Sequence, residues 1–157
     1  MINHKHCLLA GLLNLSIFSG CNSNMPGNKV NATEVSKEII TEHFRMLNEK
    51  DLKGLSEQYD NKARIITTNW DGESIGRADA NQIFHQLFYV SPDAKYLVDN
   101  MIIHDSTAVV EYDVIGLREK INSPIRYDLR NCSIFKIRNN RITSEATYAN
   151  SRLYHNK

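Results

Sequence analysis

The stretch Ile125-Arg126-Tyr127-Asp128-Leu129-Arg130-Asn131-Cys132-Ser133-Ile134-Phe135-Lys136-Ile137-Arg138, then Asn139-Asn140, then Arg141 to Asn150, reads as two strands joined by a tight turn. Asparagine tolerates positive φ better than most residues, so the Asn-Asn pair suits the bend of a hairpin. Side chains alternate across a strand. This puts Ile125, Tyr127, Leu129, Asn131, Ser133, Phe135 and Ile137 on one face, and Arg126, Asp128, Arg130, Cys132, Ile134, Lys136 and Arg138 on the other. The first face is the apolar one and is expected to turn inward. The same parity gives the next strand an inner face of Ile142, Ala146, Tyr148 and Asn150, with Arg141, Thr143, Glu145 and Thr147 outside. A bulge would exchange the faces beyond it.

Upstream, Tyr96 to His104 and Thr107 to Ile115 read as strands turned at Asp105-Ser106, and a polar crossing from Leu117 to Pro124 leads to the hairpin. The first half has a helical period. Val35, Ile39, Ile40, Phe44 and Leu47 predict a helix over Thr33 to Glu49, capped by Asn31 or Thr33. Asp51 caps a second, short helix with a stripe of Leu52, Leu55 and Tyr59. Arg64 to Trp70 is β-branched and ends in the turn pair Asp71-Gly72, so it reads as a strand. A third helix, Asp79 to Tyr89, carries Ile83, Phe84, Leu87 and Phe88 and stops at Ser91-Pro92-Asp93. Three helices against one face of a mostly antiparallel sheet make an α+β domain.

The amino terminus is of another kind. Lys5 precedes an apolar run from Cys7 to Phe18, and Ser19-Gly20-Cys21 closes it. At roughly a dozen residues the run is too short for a permanent span but fits a secretory signal. Small residues just before a cysteine resemble the lipobox of bacterial lipoproteins, with Phe18 where leucine is usual. The alternatives are a plain secretory signal and an uncleaved anchor; the placing of Cys21 decides for the lipoprotein. The expected organisation is a signal peptide over 1–20, a lipidated cysteine and flexible tether over 21–32, and one domain over 33–157. The membrane is then a partner through lipid on Cys21. Asn22 is not the aspartate that commonly retains such proteins at the inner membrane, which favours the outer membrane where a cell has two.

A formal net charge of +1 on 157 residues offers no basic excess for phosphates, so nucleic acid is not expected as a partner. Of three cysteines, one leaves with the signal and one takes lipid, so Cys132 has no disulfide partner. A packing role for Cys132 outweighs a nucleophilic one.

The order of elements, with Asn48-Glu49-Lys50-Asp51-Leu52, Asp71-Gly72 before Gly76-Arg77-Ala78-Asp79-Ala80, and Asn139-Asn140-Arg141-Ile142 ahead of Tyr148, resembles the nuclear transport factor 2-like superfamily, in its SnoaL-like branch. The resemblance implies a cone: a curved sheet around a pocket that the helices close. It implies no single function, since that superfamily hosts isomerases, hydrolases, cyclases and binding modules. Tyr127, Asn131, Ser133, Tyr148 and Asn150 would then line the pocket, with Trp70 a rim, lid or packing residue. Buried amides and hydroxyls need partners, which a carbonyl or hydroxyl ligand, one another, the backbone or water could supply.

Where steroid isomerases of the superfamily carry their base, this chain has Thr67, Thr68 and Asn69. Where its cyclases show an aspartate, it has Asn150. An amide is no base at neutral pH, so neither known chemistry is expected. Asp128 between Arg126 and Arg130 resembles the Asp-Arg-Asp arrangement of epoxide hydrolases, against the reading of a solvated charged face. His85 is a second catalytic candidate. Parity sends Glu111 and Asp113 outside. His85 and His104 lack spaced partners for a metal, and no cofactor is expected.

The leading expectation is a membrane-anchored module that binds a small, mostly apolar ligand without catalysis, because the expected lining has no inward carboxylate. The alternatives are a small-molecule hydrolase or isomerase using Asp128 or His85, and a structural module that forms a homodimer.

Overall fold

A computed structural model describes residues 31–67, 72–150 and the backbone of 153–155. The expected signal peptide, Cys21 and Trp70 lie outside the described residues. Among those residues no helix is long and apolar enough to cross a membrane.

Helix α1 (Ala32–Glu49) starts where Asn31 Oδ1 accepts the Thr33 N–H at 3.1 Å. It ends at Lys50, whose φ of 60° turns the chain. Its buried stripe is Ser36, Ile40, His43, Phe44, Met46 and Leu47. Asp51 Oδ1 then accepts the Gly54 N–H at 2.9 Å and opens α2 (Leu52–Gln58). A Cβ at position 54 would lie 2.3 Å from Met46 Sδ, so a larger residue there would push the Met46 and Asp51 side chains aside.

The chain passes directly from α2 into β1 (Tyr59–Ile66), so Tyr59 belongs to a strand rather than to the helix. After β2 (Ser74–Ile75), helix α3 (Gly76–Val90) begins earlier than the expected Asp79, whose Oδ2 accepts the Ile75 N–H at 2.7 Å. Four long strands follow: β3 (Lys95–His104), β4 (Thr107–Leu117), β5 (Arg126–Arg138) and β6 (Arg141–Ala149). Asn139 and Asn140, with φ of 50° and 59°, make the expected hairpin turn. Ile125 lies ahead of β5 and is exposed rather than inward.

The sheet runs β2-β1-β6-β5-β4-β3, with β7 (Leu153–His155) also paired to β5. Among the described strands only the β1–β6 pair is parallel. Extra residues bend it in the antiparallel pairs, one in β3 between Val98 and Asn100, one in β4 between Val114 and Leu117, and one in β6 between Ile142 and Ser144, and β1 has a longer irregularity between Tyr59 and Arg64. The concave side holds Phe44, Tyr59, Ile83, Phe84, Tyr112, Leu129 and Phe135, and side chains of that size stabilise by about 1.5–3 kcal/mol each when fully buried. The architecture is the expected α+β arrangement of three helices on a curved, mostly antiparallel sheet.

Candidate functional site

On β5 the alternation is regular, and Tyr127, Leu129, Asn131, Ser133, Phe135 and Ile137 all face inward. The partner strand departs from parity. Ile137 pairs with Ile142 but the adjacent Lys136 pairs with Ser144, so β6 spends two residues on one step of β5. That bulge exchanges the faces of everything after it. Glu145 and Thr147 are therefore buried at 6% and 7% exposure, whereas Tyr148 stands 62% exposed on the convex face. Tyr148 and Asn150, expected in the lining, are both outward, and the expectation of a lining without a carboxylate is corrected by Glu145.

Glu145 is the end of a hydrogen-bonded row. Tyr59 donates its hydroxyl to Oε2, and the Thr147 hydroxyl lies 3.0 Å from Oε1. Ser133 Oγ is 2.7 Å from Thr147 Oγ1, and Tyr112 Oη is 3.0 Å from Ser133 Oγ. A carboxylate only accepts, so Thr147 donates to it, Ser133 donates to Thr147 and Tyr112 donates to Ser133. All the protons of the row point toward Glu145.

Burial, then the Glu145 charge, pushes the Tyr59 hydroxyl well above its ordinary pKa and moves that of Tyr112 up to about 12. Tyr96 is raised mainly by its burial, with Tyr112 and Glu145 adding to it. All three phenols keep their protons at neutral pH; Tyr59 donates directly to the carboxylate, and Tyr112 reaches it through Ser133 and Thr147.

The row borders a cavity of about 520 Å³, within the range of small-molecule sites. Its lining includes Ile83, Leu87 and Val90 of α3, Tyr96, Tyr112, Val114 and Leu117 of β3 and β4, Tyr127 and Asn131 of β5, and Glu145 and Thr147 of β6. Three of its polar groups are unmatched among the described residues, the Arg118 Nε–H being one. Tyr96 Oη and Asn131 Oδ1 are buried and have no hydrogen-bond partner among the described residues.

His43 packs beneath the row, its ring edge-on to Phe135 at 5.3 Å between centroids. Its Nδ1 lies 2.9 Å from Gln58 Oε1, while Gln58 Nε2 donates to the Ile39 carbonyl at 3.0 Å. That orientation of the amide makes Nδ1 the protonated nitrogen. Burial lowers the His43 pKa, against the opposing pull of Glu145 and Gln58, so the ring is neutral.

The other sequence candidates lie apart from this cluster. Asp128 is on the outer face of β5, where Oδ1 accepts the Gly116 N–H at 2.8 Å and pins the β4 bulge. His85 is exposed on α3 and stacks on Tyr89. Neither is part of the cavity lining. Ser133 is fully buried inside the hydroxyl row, while Tyr127 and Asn131 do line the cavity. Among the described residues no group of three or more His, Cys, Asp or Glu side chains is arranged to hold a metal.

His43, Tyr96, Tyr112 and Glu145 belong to the polar interior, and nothing in the sequence singles any of them out as a site residue. His43 shares the helical spacing of Ile40 and Leu47, a signal that periodicity does carry. Glu145 carries none, because its direction depends on the bulge.

A family model described as SnoaL-like domain matches residues 40–145. Among solved structures, Bal32a from a soil-derived mobile gene cassette aligns at 19% identity and a TM-score of 0.66 over 76% of this chain and 92% of its own. SalBIII, an epoxide hydrolase/cyclase-like enzyme with a role in pyran ring formation in the polyether salinomycin, aligns at 19% and 0.66 over 74% and 92%. A protein with ketosteroid isomerase-like fold from Catenulispora acidiphila, in complex with trimethylamine, aligns at 13% and 0.63 over 71% and 84%. At these identities the likeness shows the fold. No curated protein matches the sequence.

Proposed function

We propose, from the premise that this chain belongs to the SnoaL-like domain family, that its cone binds one small, mostly apolar molecule bearing a hydroxyl or carbonyl group, and that lipid on Cys21 holds the domain at an envelope membrane. The observation that carries the binding reading is the pair of unmatched groups, Tyr96 Oη and Asn131 Oδ1, on one cavity. Burying a polar group without a partner costs free energy, and a ligand hydroxyl accepts from a phenol while donating to an amide oxygen. Ile83, Leu87, Val90, Val114 and Leu117 supply the apolar walls.

The test uses the full chain with Cys21→Ser, so that no acyl chain enters the assay. 2-Naphthol is expected to raise Tm by several degrees and naphthalene by less, with the difference lost in Tyr96→Phe. Equal shifts from both compounds would remove the hydroxyl from the reading. The anchor is supported by Ser19-Gly20-Cys21 after an apolar run. A palmitate analogue fed to cells is expected to label the natural chain and not the Cys21→Ser form.

A second reading, proton transfer on the ligand, is favoured by the inward turn of Glu145. Each of its oxygens already accepts one hydrogen bond and keeps a further lone pair. The cyclase-like chemistry of SalBIII supports a search for it. With 2-tetralone in D2O, the natural chain should speed exchange of the hydrogens beside the carbonyl and Glu145→Gln should not. Equal exchange in both proteins leaves Glu145 a structural carboxylate.

A further inference from the structure

The lining contains a cation whose hydrogen bonding is incomplete. Arg118 follows the β4 bulge, and its backbone N–H is held by Ser91 Oγ at 2.9 Å. One Nη donates to Asp93 at 3.2 Å, but Arg126 donates to the same carboxylate, so one Asp93 serves two guanidiniums. The Arg118 Nε–H is buried and meets no acceptor among the described residues, while the side chain lines the cavity. An unmatched buried donor on a charged group is the costly kind.

The charges gathered around it set the class of acceptor. Arg118 and Arg126 share Asp93, and Lys50 lies close to the same carboxylate, so cations are gathered at this end of the cavity, while Glu119 and Glu145 are the carboxylates of the lining itself. A ligand carboxylate, which a guanidinium meets edge-on, matches that local surplus. Along β5, Leu117 pairs with Tyr127 and Glu145 pairs with Phe135, by way of the neighbouring strands, so Arg118 and Glu145 sit toward opposite ends of the strand. An anion is drawn to the first end and repelled from the second.

We propose, resting on the cone as the ligand site, that the ligand is a carboxylic acid in its ionised form. Its carboxylate docks on Arg118, its apolar body lies along Leu87, Val90 and Val114, and its hydroxyl or carbonyl end reaches Tyr96 and Asn131. Arg118 thereby fixes the direction in which the molecule enters and the end that Glu145 meets.

Isothermal titration of the full chain with Cys21→Ser tests this with three probes: 6-hydroxy-2-naphthoate, its methyl ester and 2-naphthol. The acid is expected to bind about tenfold or more tightly than the ester, because a charge-assisted hydrogen bond is made only with the acid. Arg118→Gln should bring the affinities of the acid and the ester together. Equal affinities for acid and ester in the natural cone, or a preference that survives in Arg118→Gln, overturn the anion site and leave cone binding standing. Failure of all three probes to bind overturns both. The acid-to-ester comparison needs no substitution in the cone, so it holds even where Arg118→Gln folds poorly.

Discussion

The hydroxyl of Tyr59, the first residue of β1, is donated to the carboxylate of Glu145 on β6, 86 residues away in sequence. β1 runs parallel to β6 with a register shift after Tyr59, and that irregular pairing closes the cone beside α3. The bond is the means by which a carboxylate is tolerated in an apolar interior. Tyr59→Phe keeps the ring against Phe84 and His43 but strips one donor from Glu145. A loss of about 1–3 kcal/mol is expected in urea unfolding at pH 7. Because the raised pKa belongs to the folded state, the Tyr59 contribution is complete below the unfolded value of about 10 and lost as pH rises above it. Tyr59→Phe should therefore also flatten the decline in stability above pH 10, and an unchanged alkaline slope would show that the fold does not hold the Tyr59 proton.

The sequence makes the helices and β5 legible because their signals are local. Ile40, Phe44 and Leu47 repeat at helical spacing, Asn31 and Asp51 are capping residues, and β5 alternates without interruption over its whole length. What escapes is set by partners. Thr143 is β-branched and fits a regular strand, so nothing in its neighbourhood announces that Ile137 and Lys136 will face Ile142 and Ser144. One extra residue sends Tyr148 out and brings Glu145 in. Arg118 is hidden for a similar reason, since Leu117 to Pro124 reads as a polar crossing until the β4 bulge turns Leu117 inward and sets Arg118 beside the cavity.

His43 makes the fold sensitive to mild acid. Its pKa is lowered in the folded state, chiefly by burial, so below about pH 6.5 the unfolded chain takes up a proton that the folded chain refuses. The stability is fully present above that value and declines as pH falls through it, by at most about 1.4 kcal/mol per pH unit for one proton. Replacing His43 with methionine should remove that part of the slope between pH 6.5 and 5 in urea titrations. A slope unchanged by the substitution would mean that the folded chain accommodates the imidazolium.

Asp128 is expected to behave as a brace for the β4 bulge. Its Oδ1 holds the Gly116 N–H, and Gly116 has a φ of 79°, which costs a residue with a Cβ about 1–2 kcal/mol. Asp128→Asn retains an acceptor and should cost little, whereas Asp128→Ala and Gly116→Ala should each lose about 1 kcal/mol or more. The asparagine variant should also keep the full affinity for 2-naphthol. A binding defect in Asp128→Asn with stability intact would instead give that carboxylate a direct part in the site.

Tyr96 and Asn131 carry the clearest signature that separates a binding cavity from an ordinary interior. Polar groups retained for folding lower stability when they are removed, because their partners are orphaned. Tyr96 Oη has no partner to orphan among the described residues, at 6% exposure, and the same holds for Asn131 Oδ1 at 7%. Tyr96→Phe should therefore leave the empty protein as stable as before, or more stable by up to about 1 kcal/mol, while affinity for 2-naphthol falls about tenfold. Asn131→Asp tests the acceptor from the other side: it keeps the shape but adds charge near Glu145, and should weaken binding of 6-hydroxy-2-naphthoate more than that of 2-naphthol. Stability and affinity falling together in Tyr96→Phe would mark the phenol as part of the scaffold, because a group that serves only the ligand cannot be missed by the fold that carries it.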